Sequence, residues 1–85
     1  MELATTRWDV HVFLSERDGT SHAEARLVSG RRPPLTATGI ARLAPGDPLD
    51  VAEVGFELAA ARALIRLGEK LRLVAEEDVA SLTSP

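Results

Sequence analysis

The stretch EVGFELAAARALIRLGEKLRLV, from Glu53 to Val74, decides the fold. It is the one long segment of the chain with strong helical periodicity. At about 100° per residue, Phe56, Ala60, Ala63, Leu64, Leu67, Leu71 and Val74 form one apolar stripe. Val54, Leu58, Ala61, Ile65 and Gly68 form a second stripe beside it, and Arg62, Arg66, Glu69 and Lys70 mark the polar side. A surface helix faces its core with an apolar arc of about 100°, and this helix is apolar over roughly twice that. It therefore requires two partners. Asp50 followed by Glu53 reads as a capping-box variant at its start, and Lys70 and Arg72 suit the negative end of its dipole.

Upstream of the helix the period changes to two. Between Arg7 and Glu16, Trp8, Val10, Val12 and Leu14 point one way and Asp9, His11, Phe13 and Ser15 the other, as in a half-buried strand. Arg17-Asp18-Gly19-Thr20 supplies the turn, since Asp-Gly is the favoured centre of a type I′ hairpin. Counting outward from it sets Leu14 opposite Ala23, Val12 opposite Ala25 and Val10 opposite Leu27. A slip by one residue would bury His22 and Glu24, so turn and pattern agree on the register. The second strand runs from Thr20 to Ser29 and ends at Gly30-Arg31-Arg32-Pro33-Pro34. A third strand spans Leu35 to Leu43, and its small residues Ala37, Gly39 and Ala41 let a helix approach closely. The acids Glu76, Glu77 and Asp78 open a short second helix ending near Thr83, with Val79 and Leu82 as its apolar contacts. Residues 1–6 read as a loose leader to a single domain over 7–83.

Composition narrows the classes of function. The chain has 85 residues and no cysteine, which excludes a disulfide framework, a thiolate metal site and a thiol nucleophile and fits a reducing cytosol. No signal peptide or membrane span is visible, and the expected location is cytoplasmic. The net charge of -3 runs against a generic nucleic-acid binder. Its distribution is uneven, however: from Ala25 to Gly46 there is no acid, while Arg26, Arg31, Arg32 and Arg42 give that segment +4. Nine of the ten basic residues are arginine, which suits phosphate forks, although a GC-rich genome would produce the same bias.

Two basic sets are candidate RNA or ribosome contacts. Arg26, Arg31, Arg32 and Arg42 could grip phosphates, with Phe13 or His11 stacking on a base. The alternative is a solvated surface neutralised by Glu24 and Asp9. Arg62, Arg66 and Lys70, at i, i+4 and i+8, form a basic helix stripe that an anion would stabilise; the alternative is a wet helix face diluted by Glu69. The candidate dimer interface is Leu58, Ala61, Ile65 and Gly68, unless Val79 and Leu82 fold back over it within one chain. His11 and His22 point to the outer face with no acid or cysteine at ligand spacing, so no metal or cofactor is expected. Ser15 and Ser21 flank the turn without a nucleophile elbow, and the chain is expected not to be an enzyme.

Several segments together carry a family resemblance: Trp8-Asp9-Val10 with Val12, Asp18-Gly19-Thr20, Ala25-Arg26-Leu27, Thr38-Gly39-Ile40-Ala41-Arg42-Leu43 with Pro45 and Asp47, and the helix block from Glu53 through Ala61-Arg62-Ala63-Leu64 to Lys70. They resemble a family of short actinobacterial proteins of unknown function described as like double-stranded-RNA-binding domains. The resemblance implies a βββα(α) fold and an intertwined homodimer similar in shape to ribosome hibernation-promoting factors. It also implies a role in silencing ribosomes under stress or dormancy, and it assigns no catalytic or ligand residues. The reading is thus an α+β homodimer: a three-stranded antiparallel sheet followed by one long and one short helix, binding ribosomes or structured RNA. The alternative is a protein–protein adaptor that binds no nucleic acid.

Overall fold

A computed structural model describes residues 3–30, 32–42 and 52–83. Strand β1 (Asp9–Arg17), strand β2 (Thr20–Val28) and strand β3 (Leu35–Arg42) form an antiparallel sheet in the order β1-β2-β3, and a single helix α1 (Ala52–Thr83) crosses it. The hairpin closes as its sequence requires. Asp18 and Gly19 both adopt positive φ, 51° and 77°, and the Gly19 N–H donates to Glu16 Oε1 at 2.9 Å. Leu14 pairs with Ala23, Val12 with Ala25 and Val10 with Leu27, the register that keeps apolar residues on one face. On the other side of β2, Ala23 pairs with Gly39 and Ala25 with Ala37.

The helix settles on the smallest part of that face. Among the described residues, six of the eight that form the apolar core are alanines (Ala23, Ala25, Ala37, Ala41, Ala59 and Ala63, with Leu27 and Leu67), so the layers come close. Gly39 makes this possible. A Cβ there would lie 2.5 Å from the Ala63 backbone nitrogen and 2.9 Å from Arg62 Cβ, and would also strike the Ala59 carbonyl oxygen. The seat is consequently the row Gly55, Ala59, Ala63 and Leu67, spaced by four, rather than the wider stripe of large residues. Leu71, Val74, Phe56 and Ala60 are half-buried at its side, and Leu64 is exposed.

Three expectations from the sequence are corrected here. First, α1 is one helix of 32 residues instead of a long and a short one. No glycine or proline interrupts it after Val74, and Glu76 takes an i, i+4 pair with Arg72 at 2.7 Å. Lys70 and Arg72 therefore lie mid-helix, away from the negative end of the dipole, and the last turn carries no basic residue. Second, Val79 and Leu82, expected as the apolar contacts of that second helix, are 60% and 86% exposed on a helix that overhangs the sheet, which also speaks against the alternative in which they fold back over the stripe. Third, Trp8, Val10, Val12 and Leu14 face the helix side of the sheet yet stay 36–52% exposed, because α1 lies over β3 and β2 and barely reaches β1. Asp50 of the expected capping box, Arg31, and the end of the third strand at Leu43 lie outside the described residues.

The result is an elongated chain. Its radius of gyration is 17.1 Å, where a compact chain of this length would have about 12 Å.

Candidate functional site

The three cations of the helix stripe have a definite task. In a two-residue hairpin the residues flanking the turn exchange both backbone hydrogen bonds, so alternate residues of β2 bond to β1 and the rest to β3. Following that alternation outward, Thr36, Thr38 and Ile40 turn their carbonyls away from the sheet, toward the free edge. Arg62 Nη1 donates to the Ile40 carbonyl at 2.6 Å, Arg66 Nη1 to that of Thr38 at 2.9 Å, and Lys70 Nζ to that of Thr36 at 2.6 Å. The periods match: four helical residues rise about 6 Å and two strand residues about 6.6 Å, so each cation meets the next outward carbonyl. Unpaired edge groups invite another strand, and a row of long cations covers them. The helix stripe is thereby anchored to its own chain, while its charge still faces solvent.

The other arginines are dispersed. Arg26 lies on the outer sheet face, where its Nη2 donates to Glu24 Oε1 at 3.1 Å and its guanidinium sits 5.4 Å from the centre of the Phe13 ring. Phe13 in turn stacks on His11 at 6.4 Å between ring centres. The neighbour expected to neutralise Arg26, Glu24, is thus in contact with it, and Arg26 Nε is buried without a hydrogen-bond partner. Arg32 reaches from the loop after β2 to α1, where its Nη2 pairs with Asp78 Oδ2 at 2.7 Å. That pair borders a cavity of about 440 Å³ with a largely apolar wall that includes Trp8, Leu27, Pro33, Leu35, Leu71 and Val74. Arg42 is exposed at the end of β3. The structure therefore brings Arg62, Arg66 and Lys70 to one edge, whereas Arg42, alternating with buried Ala41, shares the outer sheet face with Arg26, and Arg32 lies beside Asp78. His11 and His22 are exposed on the outer face, and no group of three potential metal ligands occurs among the described residues. No described helix is long and apolar enough to cross a membrane.

The stripe named as a dimer interface is uncovered. Leu58 is 43% and Ile65 61% exposed, Ala61 and Gly68 are exposed beside them, and all four lie on the side of α1 turned away from the sheet. The periodicity did not reveal the second uncovered surface, the helix-side face of β1. A usable signal was present in side-chain size: the floor on β2 and β3 is mostly alanine and glycine, whereas Trp8 and, on β1, Val10, Val12 and Leu14 are large. A helix seated by close backbone approach moves to the small floor and leaves the large residues bare.

Sequence and structure comparisons place this architecture. A family model described as Rv2632c-like matches residues 6–85. The chain belongs to the Rv2632c-like family. The chain is similar to an uncharacterized protein of Mycobacterium bovis, 40% identical over 76 residues that span 89% of this chain and 79% of that protein. A Mycobacterium tuberculosis protein matches to the same extent. The uncharacterized protein Rv2632c of Mycobacterium tuberculosis is 39% identical over 75 residues, 87% of this chain and 77% of its own length. The crystal structure of Rv2632c superposes with a TM-score of 0.89 at 34% identity, covering 100% of this chain and 99% of that one. The three-stranded antiparallel sheet with one crossing helix is accordingly the fold of the Rv2632c-like family.

Proposed function

We propose that this protein is a non-enzymatic binding module that works as a homodimer, joined through the helix stripe Leu58, Ala61, Ile65 and Gly68. Surplus surface carries this reading. A folded monomer of 9.1 kDa exposes about 4,900 Å² by the usual scaling with mass, whereas this chain exposes 6855 Å². The difference is roughly 2,000 Å², well beyond the ~800 Å² per partner of a standard protein interface. The helix overhang contributes to it, and most of the exposed large apolar residues lie on α1 and β1. Light scattering across a dilution series tests the reading: the expected mass is twice 9.1 kDa, and a single-chain mass at every concentration overturns it.

The ligand reading is structured RNA or the ribosome, in the cytoplasmic stress or dormancy setting that the resemblance to hibernation-promoting factors implies. It is supported by Arg62, Arg66 and Lys70 along one edge, each held in place by a carbonyl hydrogen bond. A fixed row of cations suits a phosphate backbone better than dispersed charge does. Co-sedimentation with ribosomes at low and moderate salt is the measurement. Salt-sensitive association that weakens in Arg62→Gln and Arg66→Gln supports the reading, and no association at either salt removes it. Capture of a partner protein that survives nuclease treatment would instead support the adaptor role.

A further inference from the structure

The protomer leaves two apolar surfaces bare on the same side of its sheet. One is the back of α1, where Val54, Leu58, Ala61, Leu64, Ile65 and Gly68 surround a single acid, Glu57; the other is the helix-side face of β1, where Val10, Val12 and Leu14 continue the preceding Trp8. We propose that the two are counterparts: in the dimer, the back of each helix docks onto the β1 face of the other copy. This rests on the homodimer reading above and adds where the second copy sits.

Three observations lead there. Lengths agree, since the fourteen residue steps from Val54 to Gly68 rise about 21 Å along a helix and the six steps from Trp8 to Leu14 span about 20 Å along a strand. The patch on α1 is also interrupted where it should be: beyond Gly68 the same side of the helix carries Arg72 and Glu76, which pair with each other at 2.7 Å and separate it from Val79 and Leu82 near the helix end. Finally, the arrangement is self-complementary, as a two-fold interface must be, because each chain offers one helix back and one strand face. Two sheets then enclose a layer of two helices. Each helix has its own β2 and β3 on one side and the partner's β1 on the other, which accounts for an apolar arc twice that of an ordinary surface helix. The polar outer faces bearing Glu24 and Arg26 remain in water.

The rival contact is edge to edge. Val10, Val12 and Leu14 turn their backbone N–H and C=O groups away from β2, and no side chain among the described residues caps them as the cations cap β3. Pairing two β1 edges would satisfy those groups. It would leave both helix backs and both β1 faces exposed, however, so the surplus apolar surface favours the docked form.

Trp8, the only tryptophan, reports the difference. Sedimentation equilibrium of the full chain is run alongside Trp8 emission over a dilution series, with Val12→Lys and Ile65→Glu as variants. Both positions are exposed in the protomer, so each variant is expected to keep its far-ultraviolet dichroism. The expected result is a twofold fall in mass for either variant, return of the doubled mass when the two are mixed, and a red shift of wild-type emission on dilution. A doubled mass that survives Ile65→Glu, or that is lost on dilution without any change in emission, overturns the docking and leaves the homodimer standing. A wild-type mass that is single throughout removes both. If a charged variant does not fold, Val12→Cys and Ile65→Cys chains are mixed and treated with a short bismaleimide, the native chain having no cysteine. Links between unlike chains support the docking, and links confined to like chains overturn it.

Discussion

Substituting Gly39 by alanine places a single methyl group where β3 meets α1, and the outcome tests how this fold is seated. The new carbon would lie 2.5 Å from the Ala63 nitrogen and 2.9 Å from Arg62 Cβ, and against the Ala59 carbonyl oxygen. Those distances fall roughly 1 Å short of an ordinary carbon contact of about 3.5 Å. Two of the three obstacles are helix backbone, which cannot rotate aside, so the helix must lift. Lifting loosens Ala59, Ala63 and Leu67, which are buried, and draws the cations Arg62, Arg66 and Lys70 away from the carbonyls of β3. Overpacking of one methylene costs about 1–3 kcal/mol; with these added losses Gly39→Ala should cost about 3 kcal/mol. For a domain of this size each kcal/mol moves the midpoint by about 4–8 °C, so the fall should be about 12–24 °C. The assay is thermal unfolding followed by circular dichroism at one fixed protein concentration, since association shifts the midpoint. A fall of less than about 4 °C, equivalent to under about 1 kcal/mol, would refute the reasoning: the helix would not then ride on Gly39.

Other perturbations separate the remaining devices. Replacing Arg62, Arg66 and Lys70 together by alanine uncovers the outward carbonyls of β3, and the variant should aggregate faster on heating, followed by turbidity; an unchanged rate would mean that the cations do not guard the edge. Gly19→Ala forces a side chain into the left-handed region at φ 77° with no neighbour within 4 Å, so a loss of about 1 kcal/mol in denaturant unfolding isolates backbone strain from steric overlap. Asp78→Asn removes the partly exposed pair with Arg32 and should lower stability by under about 1 kcal/mol. That difference should vanish in high salt, and a larger or salt-independent loss would show that the pair does more than attract across solvent.

Local pattern settled much of this protein. Asp18-Gly19 at the hairpin tip and the alternation on either side of it determined the register of β1 on β2, because a slip would turn every apolar residue outward. Periodicity from Val54 to Val74 determined the helix and its unusually wide apolar arc, and the small residues of β3 announced a close approach. Which side of α1 would face the sheet was not legible. Helical periodicity states how apolar positions are spaced around an axis and not where the axis lies above a sheet. That depended on Gly39 admitting the Ala59 and Ala63 backbone, an encounter between residues some twenty positions apart in the chain. The same encounter decided the fate of two other groups. It brought Arg62, Arg66 and Lys70 over the carbonyls of β3, giving a stripe of charge a structural duty no spacing rule could assign. It also left Trp8, Val10, Val12 and Leu14 beyond the reach of the helix, since one helix covers about two strands and this sheet has three.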